Sequence, residues 1–203
     1  MDKQIPRFVL VHMQDDTPVS VVTGAEICAV VRYARQNAVN IQPGGDPAME
    51  TASFSAIEEE FQKRVASIVW CSAATIDRKG RPRSRILHPI WEGPAGWIAT
   101  GRQSLKEKHL AAHPYISLTY WTPEHKQIYA ECKTEWEDDA SEKARIWELY
   151  KSTPPPLGYD PGMIWKGGPA DPGYGVLKLI PWRIEISSIM DMMSGKEPQV
   201  WRP

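Results

Sequence analysis

The chain has 203 residues and a formal net charge of −1, with 42% hydrophobic and 24% charged residues. This composition is typical of a soluble globular protein and excludes a nucleic-acid-binding surface that covers the whole molecule. No apolar run approaches the roughly 20 residues that span a bilayer. Cys28, Cys71 and Cys132 are widely spaced and odd in number. We therefore expect a reduced, cytoplasmic protein with neither a disulfide framework nor a cysteine metal site.

The first 50 residues differ in character from the rest of the chain. Their patterns predict a strand within residues 7–13 and a helix within 23–37. A breaker-rich segment, residues 42–49, follows that helix. We expect residues 1–50 to be an N-terminal extension and linker, or the product of a start codon assigned too early. The main domain is predicted to span residues 51–203.

The main domain alternates helical and strand patterns. A capping box from Ser55 to Glu58 predicts the start of its first helix. Two apolar runs flank the turn at Asp77–Gly80 and predict a hairpin of strands 67–76 and 81–91. The remaining predicted strands are 96–101, 115–121, 127–137 and 175–187, and the remaining helices begin at Ser104 and Asp139.

Six closely spaced strands carry most of the pattern, and only one short helix separates the third from the fourth. This spacing argues against a parallel βαβ array and favours an antiparallel barrel. The expected fold class is therefore mainly β with flanking helices (α+β), built on an antiparallel six-stranded barrel.

Cations surround the start of the helix at Ser104, although the helix dipole disfavours positive charge there. Ser104 to Glu107 reads as a capping box, which is a sufficient role on its own. Together with Thr100, Arg102 and Lys106, however, the backbone N–H groups also suit a phosphate. Both interpretations stay open from these residues.

A basic strand precedes this helix in the chain. Alternation places Arg83, Arg85 and Leu87 on one face, and Ser84, Ile86 and His88 on the other. The simple interpretation is a solvated edge strand that resists aggregation. Arginine also suits bidentate phosphate contacts, and the two basic groups lie on neighbouring predicted strands. Both basic groups can therefore contribute side chains to a single anion site.

The residues 74–91 and 96–121 resemble the pyridoxamine 5′-phosphate oxidase-like, FMN-binding split-barrel family. The similarity continues through 129–151 and 176–187 and covers most of the chain after residue 53. Carried over by position, this resemblance implies a split barrel and a set of FMN-binding residues. Arg85, Ile86, Leu87 and His88 would lie along the ring and phosphate, Thr100 and Gly101 along the ring or ribityl chain, and Ser104, Leu105 and Lys106 at the phosphate.

The resemblance also implies a homodimer with its cofactor sites at the interface and a small-molecule substrate. Trp121, Trp182 or Trp201 would cover the ring from the partner chain. The implied activity is flavin-dependent oxidation or reduction, with no side chain assigned as a general acid or base. Related alternatives are a deazaflavin-dependent reductase and a non-catalytic stress protein that binds flavin or haem.

Two departures from the family's pattern concern the substrate. The strand that ends at His88 lacks the terminal lysine of true pyridoxamine phosphate oxidases, and their C-terminal Arg-Leu-His motif is absent. The chain is therefore more similar to the general-stress and uncharacterised branch of the family. We expect a substrate other than the vitamin phosphate.

Other polar and aromatic residues have simpler interpretations. His109 and His113 are four residues apart but have no third ligand nearby, so a surface or helix-cap role is expected rather than a metal site. The long loop 152–175 is either a plain surface loop or a lid. In the lid interpretation, Tyr159, Trp165 and Tyr174 border the substrate.

Overall fold

The chain divides into two units, residues 1–46 and 47–203, in a computed structural model that describes residues 11–14, 17–21 and 49–203. The described part of the first unit is an antiparallel pair, β1 (Val11–Gln14) and β2 (Thr17–Val21). β1 overlaps the end of the predicted strand at 7–13, whereas the helix predicted within 23–37 lies outside the described residues.

The second unit contains nine strands and four α-helices. The strands are β3 (Met49–Thr51), β4 (Cys71–Ile76), β5 (Pro82–Leu87), β6 (Pro89–Glu92), β7 (Ala95–Gly101), β8 (Tyr115–Trp121), β9 (Lys126–Glu137), β10 (Tyr174–Ser188) and β11 (Gln199–Trp201). The helices are α1 (Glu58–Ile68), α2 (Leu105–Ala112), α3 (Ala140–Ser152) and α4 (Ile189–Met193). Short 3-10 turns cover Phe54–Ala56, Pro161–Met163 and Gly168–Ala170. No helix in this unit has both the length and the apolarity to cross a membrane.

One sheet organises all nine strands. Its antiparallel path runs β5-β4-β8-β9-β10, and the first half of β10 also pairs with β7, which pairs with β6. β5 and β6 are consecutive, so the two ends of this path belong to one chain segment that bends at His88. The second half of β10 pairs with β11, which pairs in parallel with β3. The predicted mainly β, split-barrel fold with flanking helices is confirmed.

The interior follows the two-residue period of the strands. Along β9, Ile128, Ala130 and Cys132 are fully buried, as their alternation predicted. Phe61 and Val65 of α1 pack into the same cluster, because they lie four residues apart on one face of that helix. A second cluster lies under α3 and joins its buried residues to β6, β7 and the start of β10. The packing of these two clusters fixes the ends of the strands that carry the candidate functional site.

Proline divides the strand predicted over 81–91. β5 ends at Leu87 and β6 begins at Pro89, whose missing N–H removes one ladder hydrogen bond. The predicted hairpin turn before it is confirmed, because Gly80 has a φ of +76° and β4 pairs with β5 in antiparallel register. The break places His88 at the junction of two strand pairings.

Two boundary predictions near α1 are wrong. The Ser55–Glu58 capping box does not form, because residues 54–56 make a 3-10 turn and the Ser55 hydroxyl bonds Ser53 instead. The strand predicted from residue 67 begins at Cys71, since α1 continues to Ile68 and packs Ile68 against the core. The Asp139 cap of α3 is confirmed, as its carboxylate accepts from the N–H groups of Ser141 and Glu142.

Candidate functional site

Arg85 points inward from β5 at one end of the barrel. It lies opposite Ala73 in the β4–β5 register, so its side chain shares a face with Thr75 two residues along. Its Nη1 donates to Thr75 Oγ1 over 2.8 Å. The neighbouring Ile86 faces outward and is 64% exposed. The predicted alternation holds for Arg85 and Ile86, but His88, predicted to share the face of Ile86, follows the end of β5 and is buried.

Lys106 lies in the first turn of α2 and is buried, with 7% of its surface exposed. Its Nζ donates to Ser104 Oγ over 2.8 Å. Within residues 49–203, neither Lys106 nor Arg85 forms an ion pair with a carboxylate. Buried lysine is nearly always paired with a carboxylate, so the buried Lys106 next to the half-buried Arg85 is unusual.

The electrostatics of Lys106 reflect both its burial and its neighbour Arg85. Burial, with a smaller contribution from the positive charge of Arg85, lowers the pKa of Lys106 from 10.5 to about 8. Burial also lowers the pKa of Arg85, with a smaller contribution from Arg83. An anion placed between Lys106 and Arg85 would favour the charged forms of both side chains and so offset the cost of their burial. The arrangement therefore suits a negatively charged group such as a phosphate.

His109 lies one turn after Lys106 on the same face of α2. It is 8% exposed, and its Nδ1 is 3.0 Å from Thr75 Oγ1. The surface or cap role expected for His109 is therefore wrong, whereas His113 is exposed. Lys106, His109 and Leu110 share the buried face of α2, but two of the three are polar, so their spacing in the sequence did not mark this face as buried.

The residues around the start of α2 separate into two groups. Ser104 occupies the N-cap position, but its hydroxyl accepts from Lys106 and no side chain caps the helix, so the predicted capping box is wrong. Arg102 turns away to Asp138 at 3.3 Å and lies 4.4 Å from the Trp136 ring centre, so it is not part of the cationic cluster. Leu105 is 66% exposed. Ser104 and Lys106 are the side chains of this loop that face the cluster.

An apolar cleft of about 380 Å³ lies beside this cluster. It is lined by Trp70, Ile86, Leu87, His88, Ala99, Pro156, Tyr159, Met163 and Ile164. These residues come from the α1–β4 connection, β5, β7 and the loop after α3. No acidic or basic side chain except the imidazole of His88 lines it. The cleft therefore favours a flat, apolar group over a charged one.

His88 is the polar feature of the cleft. Its ring lies 4.8 Å from the Trp70 ring and 5.4 Å from the Tyr159 ring, centre to centre. Burial lowers its pKa, and the nearby Leu157 backbone opposes this only in part. The imidazole is therefore neutral at pH 7. Leu157 does not reach hydrogen-bond geometry, and neither ring nitrogen has a partner within residues 49–203.

Tyr150 of α3 fixes the edge of the cleft. Its hydroxyl is 2.8 Å from the carbonyl oxygens of both His88 and Trp97, and it accepts from the Ala99 N–H at 3.2 Å. One buried hydroxyl thus connects the residue that precedes β6 to β7 at the edge of the cleft. Thr100, which is buried, and Gly101 follow Ala99 at the end of β7. They lie between the cleft and the cationic cluster along the chain.

Of the three aromatic residues expected to border the substrate, only one lies at the cleft. Tyr159 lines the cleft. Trp165 and Tyr174 do not, because they pack against each other at 5.1 Å in the cluster under α3. Trp70, Met163 and Ile164 were missed by the sequence reasoning. They lie in a connection and a loop, where no periodicity reports which way a side chain faces.

A second apolar surface lies on the outer face of the barrel. Tyr115, Trp121 and Trp182 are about half exposed there, at 56%, 59% and 47%. A shallow depression of about 430 Å³ includes Tyr115 and Trp182 together with parts of β4 and β9. Trp201 is different, because it is buried in its own chain's core, 5.2 Å from the Phe54 ring. It is therefore unavailable to cover a partner's cofactor.

Residues 57–187 match the family model described as pyridoxamine 5′-phosphate oxidase, which is well over half of the chain. The chain belongs to the pyridoxamine 5′-phosphate oxidase family. No curated protein matches it at a significant level.

Solved structures agree with this assignment at the level of the fold. A Clostridium acetobutylicum protein related to general stress protein 26 of B. subtilis superposes with a TM-score of 0.58 at 14% identity, covering 72% of this chain and 94% of the other. A NimC/NimA family protein from the same organism gives 0.54 at 13%, covering 66% and 88%. An FMN-binding, pyridoxamine 5′-phosphate oxidase-related protein from Nostoc punctiforme gives 0.50 at 16%, covering 69% and 86%.

Proposed function

We propose that this protein is a homodimeric flavoprotein that binds FMN and catalyses flavin-dependent oxidation or reduction of a small organic molecule. The observation that carries the proposal is a pair of cations, the buried Lys106 and the half-buried Arg85, beside an apolar cleft. FMN joins a phosphate to a flat ring, so its two ends match the two parts of this site. Membership of the family supports the same cofactor.

The phosphate end is held by charge in this proposal. Lys106 and Arg85 contact the phosphate, and Ser104 adds a hydroxyl that already lies 2.8 Å from Lys106 Nζ. Charge-assisted hydrogen bonds to phosphate are about twice as strong as neutral ones. Gly101 leaves room for the connecting chain, because a Cβ built there would meet only Ser104, at 4.0 Å. Leu105 contributes its backbone N–H at the start of α2.

The ring end lies in the cleft in this proposal. Ile86, Leu87 and His88 form one wall, and Ala99 forms the edge, with Thr100 next to it on β7. When bound, FMN supplies the hydride and electron transfer, while the protein binds and orients it. Trp70 and Tyr159 exclude water from the ring, and the neutral His88 imidazole offers one donor and one acceptor near it.

A second copy of the chain completes the site in this proposal. The exposed aromatic surface formed by Tyr115, Trp121 and Trp182 supports the outer face of β8 and β10 as the contact. Aromatic residues are enriched in such interfaces. Sedimentation velocity is expected to give a dimer for the wild type and a monomer for Trp182→Glu. Met190→Glu, an exposed residue on α4, is the matched control and should remain a dimer. A monomeric wild type would remove this part of the proposal.

The function is tested by the visible absorption spectrum of the purified protein and by mass identification of what heat or acid releases. The proposal expects a flavin spectrum, or its appearance on titration with FMN, and a released mass equal to FMN. A deazaflavin and haem serve as competing ligands in the same titration. Preferential binding of either one would replace FMN as the cofactor, and binding of none would refute the function. Bound FMN without turnover of any reductant or acceptor would favour a non-catalytic stress protein.

A further inference from the structure

Three polar side chains from three elements, the buried Thr75 and His109 and the half-buried Arg85, form one hydrogen-bonded chain. Arg85 of β5 donates from Nη1 to Thr75 Oγ1 of β4 at 2.8 Å, and Thr75 Oγ1 lies 3.0 Å from His109 Nδ1 of α2. Thr75 is 1% exposed and His109 8%, so water cannot substitute freely for either partner. Neither Thr75 nor His109 belongs to the FMN-binding set that the family resemblance implies.

The direction of the hydrogen bond from Arg85 to Thr75 follows from donor and acceptor chemistry, whereas that between Thr75 and His109 depends on the histidine tautomer. A guanidinium has five N–H donors and no acceptor, so the Thr75 oxygen must accept from Arg85. The single hydrogen of the hydroxyl then remains for His109 Nδ1, which accepts it when the ring hydrogen is on Nε2. Each group thus orients the next, and this series of hydrogen bonds begins at His109, on the helix that also carries Lys106.

This chain limits where the Arg85 charge can lie. An arginine side chain loses much rotamer freedom when it is fixed, so fixing it before binding removes that cost from the binding step. Thr75 fixes one terminal nitrogen before any ligand arrives, and the other N–H groups stay available. His109 in turn orients the hydroxyl that does this. Arg85 and Lys106 are thereby held close together without a carboxylate between them.

We infer that Thr75 and His109 are positioning residues that preorganise Arg85 for a phosphate monoester, so that they determine specificity for the phosphorylated ligand. The inference rests on the proposed function, because it assigns the phosphate of the bound flavin to the Arg85–Lys106 pair. The competing interpretation is a purely structural tie between α2 and β4. Such a tie would affect ligands with and without a phosphate equally.

The test compares FMN with riboflavin, which has the same ring and lacks the phosphate. Dissociation constants for both are measured by flavin fluorescence in the full-length wild type and in Thr75→Val, Thr75→Ser, His109→Leu and His109→Asn. Thr134→Val is the matched control, because Thr134 is a buried strand threonine whose hydroxyl donates to Pro114 O. Urea unfolding of each variant reports any loss of stability separately.

Thr75→Val and His109→Leu are expected to weaken FMN binding about tenfold, equivalent to about 1.4 kcal/mol, and to change riboflavin binding less than about twofold. Thr75→Ser and His109→Asn, which keep a hydroxyl and an acceptor, should restore most of the affinity for FMN. Thr134→Val should leave the ratio of the two constants unchanged.

The possible failures have different meanings. A wild type that does not prefer FMN over riboflavin would refute the phosphate site itself. A wild type that prefers FMN, with an unchanged preference in Thr75→Val and His109→Leu, would refute only the positioning role. Equal weakening of both ligands would establish the structural tie instead. If Thr75→Val does not fold, His109→Leu carries the same criteria.

Discussion

Replacing Lys106 by methionine is expected to stabilise the cofactor-free protein and at the same time to weaken FMN binding. A pKa lowered from 10.5 to about 8 corresponds to about 3 kcal/mol against the charged form, at about 1.4 kcal/mol for each pH unit. Methionine keeps the apolar stem and removes this penalty. Loss of the hydrogen bond to Ser104 costs about 1 kcal/mol and offsets part of this gain in stability. The free protein should therefore gain about 2 kcal/mol, or about 4–8 °C in Tm.

The effect on binding has the opposite sign. A charge-assisted hydrogen bond to phosphate contributes about 1.5–3 kcal/mol, so FMN affinity should fall by about ten- to more than a hundredfold. Riboflavin affinity should change little, because it lacks the phosphate. Calorimetric or denaturant unfolding without ligand, combined with titration of both flavins, measures the two effects. Lys108→Met is the matched control, since Lys108 is exposed on the same helix. A destabilised Lys106→Met with unchanged FMN affinity would refute this reasoning.

Three further predictions follow from other contacts. Lys106 has a pKa of about 8 in the free protein and must be charged to hold phosphate. FMN affinity should therefore be constant below about pH 8 and fall above it, by up to about tenfold per pH unit. A flat profile from pH 6 to 9 in fluorescence titrations would contradict this. Tyr150→Phe should cost about 1–3 kcal/mol in urea unfolding, since the Ala99 N–H loses its acceptor; no loss would contradict the role of that hydroxyl. Burial raises the pKa of Cys71 to about 12 and that of Cys132 further, so peptide mapping after alkylation should find both unmodified in the native protein and modified in urea; rapid native alkylation would contradict their burial.

Sequence periodicity predicted β8 and β9 well because each of them alternates buried residues with more exposed ones, whereas β6 and β10 bury consecutive residues. The inward side of β9, from Ile128 to Cys132, is buried in full, and the hairpin turn at Gly80 has the positive φ that its glycine indicated. These features depend only on local alternation and turn chemistry. Boundaries were less predictable: the helix α1 took the apolar residues up to Ile68 that the pattern assigned to a strand.

The site was predictable where it lay on regular elements and unpredictable where it did not. Arg85 and Lys106 were recognised from charge at unexpected places, and the fold puts their charges close together. Trp70 was missed because it lies in a connection whose direction depends on tertiary packing. His109 was misjudged, since its burial follows from the contact of α2 with β4, which no single segment of the sequence specifies. Arg102 carried the same charge signal but pairs with Asp138 instead.

The central claim is that the buried Lys106 and the half-buried Arg85, which have no carboxylate partner within residues 49–203, hold a flavin phosphate beside an apolar cleft for its ring. The most direct measurement is a parallel titration of the wild-type protein with FMN and riboflavin at pH 7. Two charge-assisted contacts at about 1.5 kcal/mol each predict that FMN binds at least about a hundredfold more tightly. Equal affinities for the two flavins, or no binding of either, would contradict the account.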